Sequence, residues 1–299
     1  MRNIDWIAVD WGTTRLRVWG LSKQGEILTH NSSDKGMNTL QSEEYEQVLI
    51  EHIEDWLDKD RTIAVLACGM LGSKQGWIET HYETAPCIGS KQLVQAPVSN
   101  QGFKVYICPG VKQLSPADIM RGEETQILGF LTDNPGYSGV ICLPGTHCKW
   151  VQVTAGVIEY FQTYMTGELY ALLSQHSILR HCVAKNGWHT SAFKKAVASA
   201  IDSPATIYGQ LFSLRAESIL NGLSAEVARA RLSGYMIGLE LCAAQQYWKD
   251  KEVMVIGEQQ ISIRYMEAFR SLKIKSEHFN SDELTIKGLT SIYHQILGQ

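Results

Sequence analysis

The sequence predicts an α/β protein built from two related domains, because one arrangement of strands and turns occurs twice in its 299 residues. Residues 7–18 read as an apolar strand, a Gly-Thr-Thr turn and a second strand of alternating polarity. Residues 139–153 repeat that order around a Gly-Thr turn, and a Gly-containing turn and a third strand follow both copies. The copies begin about 130 residues apart, which indicates duplicated domains and not a solenoid. We therefore expect domains at 1–133 and 134–299.

The remaining hydrophobic patterns predict a βββαβα core in each half of the chain. In the first half, three strands within 4–30 precede a helix from Ser42 to about Lys59, strands at 62–68 and 104–108, and a helix from Pro116 to Leu131. The second half is expected to contain three strands within 140–165, helices from 167 to 248, a strand at 252–256, a helix from Gly257 and a helix at 287–297. The polar segment 79–101 is expected to be a loop or flap.

The composition excludes several classes of protein. A hydrophobic fraction of 44% and a charged fraction of 19% are typical of a globular chain. The net charge of −4 and the absence of a Lys/Arg run argue against nucleic acid as a partner. The sequence contains no run of about 18 apolar residues, so no membrane span is expected. A strand close to Met1 argues against a signal peptide. Seven cysteines without CxxC spacing favour the reducing cytoplasm over a disulfide framework or a zinc site.

The first hairpin carries the residue types that hold a metal-bound phosphate. Asp10 ends an apolar strand and could reach Mg²⁺ through water. The backbone N–H groups and hydroxyls of Gly12, Thr13 and Thr14 could face phosphate oxygens. An ordinary hairpin, in which Gly and Thr serve only the turn, is the alternative.

The second hairpin has the same outline and different chemistry. Gly145 and Thr146 form its turn, and His147 and Lys149 follow in place of an acid. These side chains suit direct contact with phosphate oxygens. Two such hairpins could hold a polyphosphate from both sides.

A glycine-rich segment follows the strand at 62–68 and could donate hydrogen bonds to a polar substrate, because ligands of open α/β sheets bind beyond the carboxyl ends of strands. Its candidate substrate residues are Lys74, Gln75 and Trp77. A flexible surface connection is an equal alternative. The sequence contains neither GxxxxGK[ST] nor GxGxxG, so it predicts neither a Walker loop nor a Rossmann dinucleotide site.

Residues 115–129 place three acids, Asp118, Glu123 and Glu124, beside Arg121 at an expected helix start. One acid could act as a general base while the guanidinium binds an anionic substrate. The alternative is that the acids only favour the helix dipole. Further along, Gly257 and Glu258 lie at a strand–helix junction, where a glycine lets a flat base approach the backbone.

Five ordered blocks, VDWGTT, ACGMLGSKQGW, IMRGEETQILG, LPGTHCKWV and TYMTGELYALLSQHSIL, resemble the 2-dehydro-3-deoxygalactonokinase family of the sugar kinase, heat-shock ATPase and actin superfamily. They run from Val9 to Leu179, and the last third of the chain is less distinctive. The resemblance implies two ribonuclease-H-like domains with an active-site cleft between them. It also implies ATP-dependent phosphorylation of 2-dehydro-3-deoxy-D-galactonate at its 6-hydroxyl in galactonate catabolism.

The resemblance also assigns roles by position. Asp10, with Mg²⁺, and the Gly12–Thr14 turn match the first phosphate motif, the residues Gly145, Thr146, His147 and Lys149 match the second, and Gly257 and Glu258 match the adenosine motif. We expect the base to be Glu123, then Glu124, then Asp118 in order of preference. Arg15, Lys74 or Arg121 would pair with the sugar-acid carboxylate, and the chain could form a homodimer.

Two other functions fit the same superfamily. A phosphohydrolase of the exopolyphosphatase type is favoured by the GEETQILG segment and disfavoured by the acidic composition, because a polyphosphate channel should be basic. A non-catalytic ATP-driven binding module, like the chaperone and actin members, would need a peptide-binding extension that this sequence does not show.

Overall fold

The computed structural model describes residues 4–58, 60–89 and 92–297. The expected end of the first helix at Lys59 and positions 90–91 of the expected loop lie outside the described residues. The chain divides into two compact units. The first contains the described residues up to Ser138, the segment Val153–Tyr160 and the described residues from Ser281 onward, and the second contains Gly139–Gln152 and Phe161–Asn280. The boundary expected at 133/134 and the cleft between domains stay predictions.

The first unit is built on a six-stranded sheet. Strands β1 (Trp6–Trp11), β2 (Leu16–Leu21) and β3 (Ile27–Ser33) form an antiparallel meander, after which helix α1 (Tyr45–Ile53) leads to β4 (Ile63–Gly69). The later strands are β5 (Tyr82–Thr84), β6 (Val94–Gln95) and β7 (Phe103–Ile107). The sheet order is β3-β2-β1-β4-β7-β6, with β1, β4 and β7 parallel. All six residues of β1 and six of the seven residues of β4 are buried, so both faces of the sheet are covered at its centre.

A small second sheet corrects two expectations. Strands β8 (Gly110–Leu114) and β9 (Ala117–Met120) form a hairpin, and β5 pairs in parallel with β8. The helix expected from Pro116 therefore begins only at Glu123, as α2 (Glu123–Asp133). Asp118 lies in β9 and not in a helix. The segment 79–101 is not a plain loop, since it contributes β5 and β6.

The second five-stranded sheet repeats the strand order of the first. Strands β10 (Gly139–Leu143), β11 (Cys148–Thr154) and β12 (Val157–Tyr164) confirm the three expected strands. Helices follow as α3 (Thr166–Gln175), α4 (Thr190–Asp202), α5 (Ile207–Leu220), α6 (Ala225–Ala243) and α7 (Gln245–Trp248). Next come β13 (Val253–Gly257), α8 (Gln259–Ser271) and β14 (Ser276–Asn280). The order β12-β11-β10-β13-β14, with β10, β13 and β14 parallel, matches β3-β2-β1-β4-β7 strand for strand.

The last helix, α9 (Ser281–Ile292), begins six residues earlier than the sequence pattern suggests and belongs to the first unit. Its apolar side chains Leu289 and Ile292 pack with Trp6 and Ala8 on one face of β1, while Ile7, Val9 and Trp11 pack with α1 on the other face. None of the helices in the described ranges is long and apolar enough to cross a membrane.

Candidate active site

The Gly12–Thr14 turn is held rigidly by its neighbours. Gly12 N–H donates to Arg15 O at 2.9 Å, which closes the hairpin. Met37 N–H and Asn38 N–H donate to the carbonyls of Gly12 and Thr13 at 3.1 and 3.0 Å. Within the part of the chain that the structure describes, the N–H groups of Thr13 and Thr14 donate to no protein acceptor. The turn therefore presents fixed donors, as an anion-binding site requires.

Asp10 lies one residue before the end of β1 and is 6% exposed. Its cross-strand partner is Arg17 on β2, whose Nη2 lies 3.4 Å from Asp10 Oδ2. Arg17 Nη1 also pairs with Asp282 Oδ1 at the start of α9. Sequence reasoning missed both partners, although an arginine within an otherwise apolar strand was a visible signal for the first.

Two glycines leave space beside Asp10. Gly69 ends β4 opposite Trp11, with φ +98°, and a Cβ there would lie 2.6 Å from Trp11 O and 3.3 Å from Asp10 Oδ1. Gly122, with φ +103°, comes so close that its own Cβ would lie 3.3 Å from Gly69 Cα. These left-handed conformations favour glycine. A side chain on Gly69 would crowd the Asp10 carboxylate, so glycine at this position suits a small hard cation held by Asp10.

Glu124 lies in the first turn of α2 and is 1% exposed. Its Oε2 accepts from Gly122 N–H at 2.7 Å, and its Oε1 accepts from the Thr125 hydroxyl at 3.0 Å. Burial, and then the nearby charge of Glu123, raises the pKa of the Glu124 carboxyl to about 7. Gly122, which donates to Glu124, approaches Gly69 beside Asp10. Burial above all, and then the charges of Asp10, Cys108 and Glu124, raise the pKa of the Cys68 thiol on β4. The arrangement places a carboxyl with a base-like pKa near Asp10.

The other two acids differ from Glu124 in exposure and in partners. Glu123 is half-buried, and its Oε2 accepts from Arg121 N–H at 3.0 Å. Asp118 is half-buried on β9, and its Oδ1 accepts from Ile119 N–H at 2.7 Å.

The glycine-rich segment after β4 lies beside the Gly12–Thr14 turn. Ser73 Oγ contacts Met37 Sδ at 3.2 Å, and Met37 in turn bonds to Gly12. Lys74 and Gln75 are exposed next to Ser73. Trp77 instead lies in the core of the first unit, where its ring stacks on Tyr45 at 5.9 Å.

The two expected substrate arginines have different surroundings. The Arg121 guanidinium is buried, donates to Thr80 Oγ1 and Thr80 O, and lies 4.3 Å from the centre of the Tyr82 ring. These contacts fasten the segment 72–82. Arg15 is exposed, with its Nε 3.8 Å from Asp34 Oδ1.

The second hairpin is braced by the start of α3. Glu168 N–H donates to Thr146 O at 3.0 Å, and Glu168 Oε2 lies 2.6 Å from His147 Nε2. A Cβ on Gly167 would overlap Gly145 O and Thr146 Cα, so only glycine permits this approach. Buried Lys149 donates from Nζ to His147 O at 3.2 Å, beneath the turn. Sequence reasoning missed Glu168, although it belongs to one of the resembling blocks.

The strand–helix junction at Gly257 is close to the second turn. A Cβ on Gly257 would lie 2.7 Å from Ser262 Oγ and 3.4 Å from Pro144 O. Glu258 precedes α8 in an extended conformation and is exposed. These neighbours belong to the protein itself, so the approach of a flat base to the Gly257 backbone stays a prediction.

A buried carboxyl group, that of Glu240, lies in the core of the second unit. Glu240 accepts from Trp150 Nε1 at 2.8 Å and from Tyr265 OH at 2.6 Å, and burial raises its pKa. Cys142 and Cys148 lie beside it, and one ligand atom from each of the three residues falls within 4.8 Å of the others. Because both carboxylate oxygens already accept strong hydrogen bonds, we assign this group to the core.

The duplicated topology and the two hairpins define the fold of the chain. Each unit carries the strand order of a ribonuclease-H-like domain with a Gly-Thr turn after its first strand, and solved structures of low identity share this fold. The chain therefore has an α/β fold with two ribonuclease-H-like domains, as these structures do at 12% and 14% identity and TM-scores of 0.51 and 0.53.

Comparison with known sequences identifies the family to which the chain belongs. The profile of the 2-keto-3-deoxy-galactonokinase family matches residues 10–292, and the chain belongs to this family. A probable 2-dehydro-3-deoxygalactonokinase of Rhizobium meliloti is 34% identical over 95% of both chains. The 2-dehydro-3-deoxygalactonokinase of Escherichia coli is 33% identical over 97% of this chain and 98% of its own. A crystal structure from Sinorhizobium meliloti, assigned as a 2-dehydro-3-deoxygalactonokinase, has a TM-score of 0.91 at 33% identity and covers 98% of this chain and 97% of its own.

Proposed function

We propose that this protein transfers the γ-phosphoryl group of ATP to the 6-hydroxyl of 2-dehydro-3-deoxy-D-galactonate. The product is 2-dehydro-3-deoxy-6-phospho-D-galactonate, and the reaction serves galactonate catabolism in the cytoplasm. One observation carries the proposal: three features occur together in one unit of a chain from this kinase family. They are the buried carboxylate of Asp10, which could bind a metal, a rigid turn with free-facing N–H donors for an anion, and the carboxyl of Glu124, whose pKa is raised.

We assign phosphate binding to the turn at Gly12–Thr14 and to the turn at Gly145 and Thr146. The N–H groups and hydroxyls of Thr13 and Thr14 would bind phosphate oxygens from the first unit, and Thr146, His147 and Lys149 would do so from the second. Asp10 would hold Mg²⁺, whose charge neutralises the phosphates when it is bound. Fixed donors cost little reorganisation as charge moves during transfer, which is why rigid turns suit this task.

Proton removal from the 6-hydroxyl is assigned to Glu124. A base works best when its pKa lies near the working pH, and the pKa of Glu124 is about 7. Its hydrogen bonds from Gly122 N–H and Thr125 Oγ1 fix the direction of the carboxylate. Glu123 and Asp118, which sequence reasoning also offered, are the alternatives that mutagenesis must compare.

Substrate choice is assigned to the exposed cations of the first unit. Lys74, with Gln75, and Arg15 are exposed on segments next to the phosphate turn and would bind the carboxylate and hydroxyls of the sugar acid. Arg121 and Trp77 would act indirectly, because Arg121 fastens Thr80 and Trp77 packs in the core. Gly257 and Glu258 would border the adenosine.

A homodimer is the proposed assembly. Helix α5 exposes Tyr208, Phe212, Ile219 and Leu220 on its outer side while Ile207 and Leu214 are buried inside, so the helix is apolar on both sides. A second copy would cover this outer side. Light scattering of the wild type and of Phe212→Glu tests it, with loss of a dimer expected in the variant.

Measurement of ADP release from the purified protein tests the proposed reaction. With ATP and Mg²⁺, we expect turnover with 2-dehydro-3-deoxy-D-galactonate and slight turnover with glucose or galactose. Equal turnover of neutral hexoses would contradict the assigned substrate. Phosphate release that is independent of any sugar acid would indicate a phosphohydrolase instead.

A further inference from the structure

We propose that Asp282, on the last helix of the chain, is a positioning residue that acts on Asp10 through Arg17. The proposal rests on the proposed function, in which Asp10 holds the metal–nucleotide complex. It assigns to α9 a role in metal binding that goes beyond packing.

The three residues form a continuous ionic chain within the first unit. Arg17 lies directly across the β1–β2 ladder from Asp10, and its Nη2 is 3.4 Å from Asp10 Oδ2. Its Nη1 pairs with Asp282 Oδ1. The side chains of Asp10 and Arg17 are only 9% and 20% exposed, so solvent screens their interaction weakly. One guanidinium thus serves two carboxylates.

This sharing has a consequence for a cation at Asp10. An arginine paired with Asp10 alone would neutralise the carboxylate and repel Mg²⁺. Asp282 restores one negative charge to the cluster and holds the guanidinium in a second direction. Without the charge of Asp282, Arg17 and Asp10 form a neutral pair, which attracts a cation less strongly than the three residues together do.

The position of Asp282 is fixed by the packing of α9 on α2. A Cβ on Gly129 of α2 would overlap Leu284 O, and a Cβ on Gly288 of α9 would overlap Thr125 O. The two helix backbones are therefore in direct contact. Thr125 is the neighbour of Glu124, so the same helix that holds Arg17 also supports the segment that carries the proposed base.

A matched control separates positioning from simple stabilisation. Lys287 of α9 pairs with Asp133, the last residue of α2, and both side chains are about half exposed. Asp133→Asn removes an ion pair between the same two helices without touching Arg17 or Asp10. Arg17→Lys is a second test variant, because an ammonium group cannot span two carboxylates as a guanidinium does.

The test is calorimetric binding of a non-hydrolysable ATP analogue over a range of Mg²⁺ concentrations and in EDTA, with the thermal midpoint measured alongside. For Asp282→Asn we expect the Mg²⁺ concentration at half-maximal binding to rise about tenfold, while binding in EDTA changes less than twofold. Arg17→Lys should also raise the Mg²⁺ concentration at half-maximal binding. Asp282→Glu keeps the negative charge, so its value should stay close to that of the wild type. Asp133→Asn should match the wild type.

Two results would overturn the inference, and they differ from failure of the proposed function. If Asp282→Asn and Asp133→Asn show the same Mg²⁺ requirement as the wild type, Asp282 has no positioning role. If Asp282→Asn does not fold, an unchanged Mg²⁺ requirement in Arg17→Lys has the same meaning. A wild type whose nucleotide binding ignores Mg²⁺ would instead overturn the proposed role of Asp10 itself.

Discussion

Glu124 accepts a 2.7 Å hydrogen bond from the N–H of Gly122, two residues before it. This contact turns the carboxylate back over the start of α2, where Gly122 approaches Gly69 and the space beside Asp10. Glu123 points elsewhere, since it bonds to Arg121 N–H. Neighbouring residues of a helix differ in direction by about 100°, so the two carboxylates cannot share one role.

The first prediction compares these two carboxylates. Glu124→Gln keeps the shape and removes the basicity, so kcat should fall about 10²-fold or more with little change in ATP affinity. Glu123→Gln should lower kcat by a smaller factor. Steady-state kinetics of both variants, with Asp118→Asn beside them, decides the matter. Full kcat in Glu124→Gln together with a large loss in Glu123→Gln would reverse the assignment and restore the order of preference expected from the sequence.

The second prediction concerns stability against pH. The folded state raises the pKa of Glu124 from 4.5 to about 7, so it favours the neutral carboxyl. The group therefore stabilises the fold less as pH rises through this window. Relative to Glu124→Gln, the free energy of unfolding of the wild type should fall by about 3 kcal/mol between pH 4 and pH 8. Urea unfolding at several pH values measures it, and parallel pH profiles of the two proteins would argue against the raised pKa.

The third prediction concerns the turn at Gly145 and Thr146, which we propose to bind phosphate. Gly167→Ala places a methyl group against Gly145 O and should displace the turn, so the KM for ATP should rise about tenfold or more. Gly209→Ala is the matched control, because a Cβ at this exposed position of α5 meets nothing within 4 Å. The control should keep its KM and gain up to about 1 kcal/mol of stability. Equal KM values in the two variants would show that α3 does not set the turn.

The fourth prediction concerns the buried carboxyl of the second unit. Glu240→Ala leaves Trp150 Nε1 and Tyr265 OH without their acceptor, at a cost of about 3 kcal/mol. Glu217→Ala removes a more exposed ion pair with Arg231 and should cost less than about 1 kcal/mol. Denaturant unfolding measures both. A loss at Glu240 no larger than that at Glu217 would mean that its hydrogen bonds contribute little net stability.

Local sequence patterns predicted much of the fold. The hairpins around Gly12 and Gly145 show alternating or apolar strands interrupted by short turns, so their strands were predicted to within a few residues. Two elements were not. Strand β9 has the helix-compatible sequence Ala-Asp-Ile-Met and becomes a strand by pairing with β8. Strand β14 is too polar to show a strand pattern, and only its pairing with β13 reveals it.

The missing site residues depend on contacts that are distant along the chain. Arg17 and Asp282 are 265 positions apart, and nothing local in either segment indicates that they pair. The choice between Glu123 and Glu124 depends on the rotation of α2, which Gly122 and the approach of α9 determine. Trp77 carries no local signal of its burial, which follows from its packing against Tyr45.

The most direct test of the central proposal is to identify the product made from ATP, Mg²⁺ and 2-dehydro-3-deoxy-D-galactonate by phosphorus NMR and mass spectrometry. We expect the wild type to form the 6-phosphate with one ADP per product. Asp10→Asn, with an unchanged thermal midpoint, should form almost none. Phosphate at another position, no sugar phosphate at all, or undiminished product from a folded Asp10→Asn variant would contradict the proposal that Asp10 and its phosphate turn serve a sugar-acid kinase.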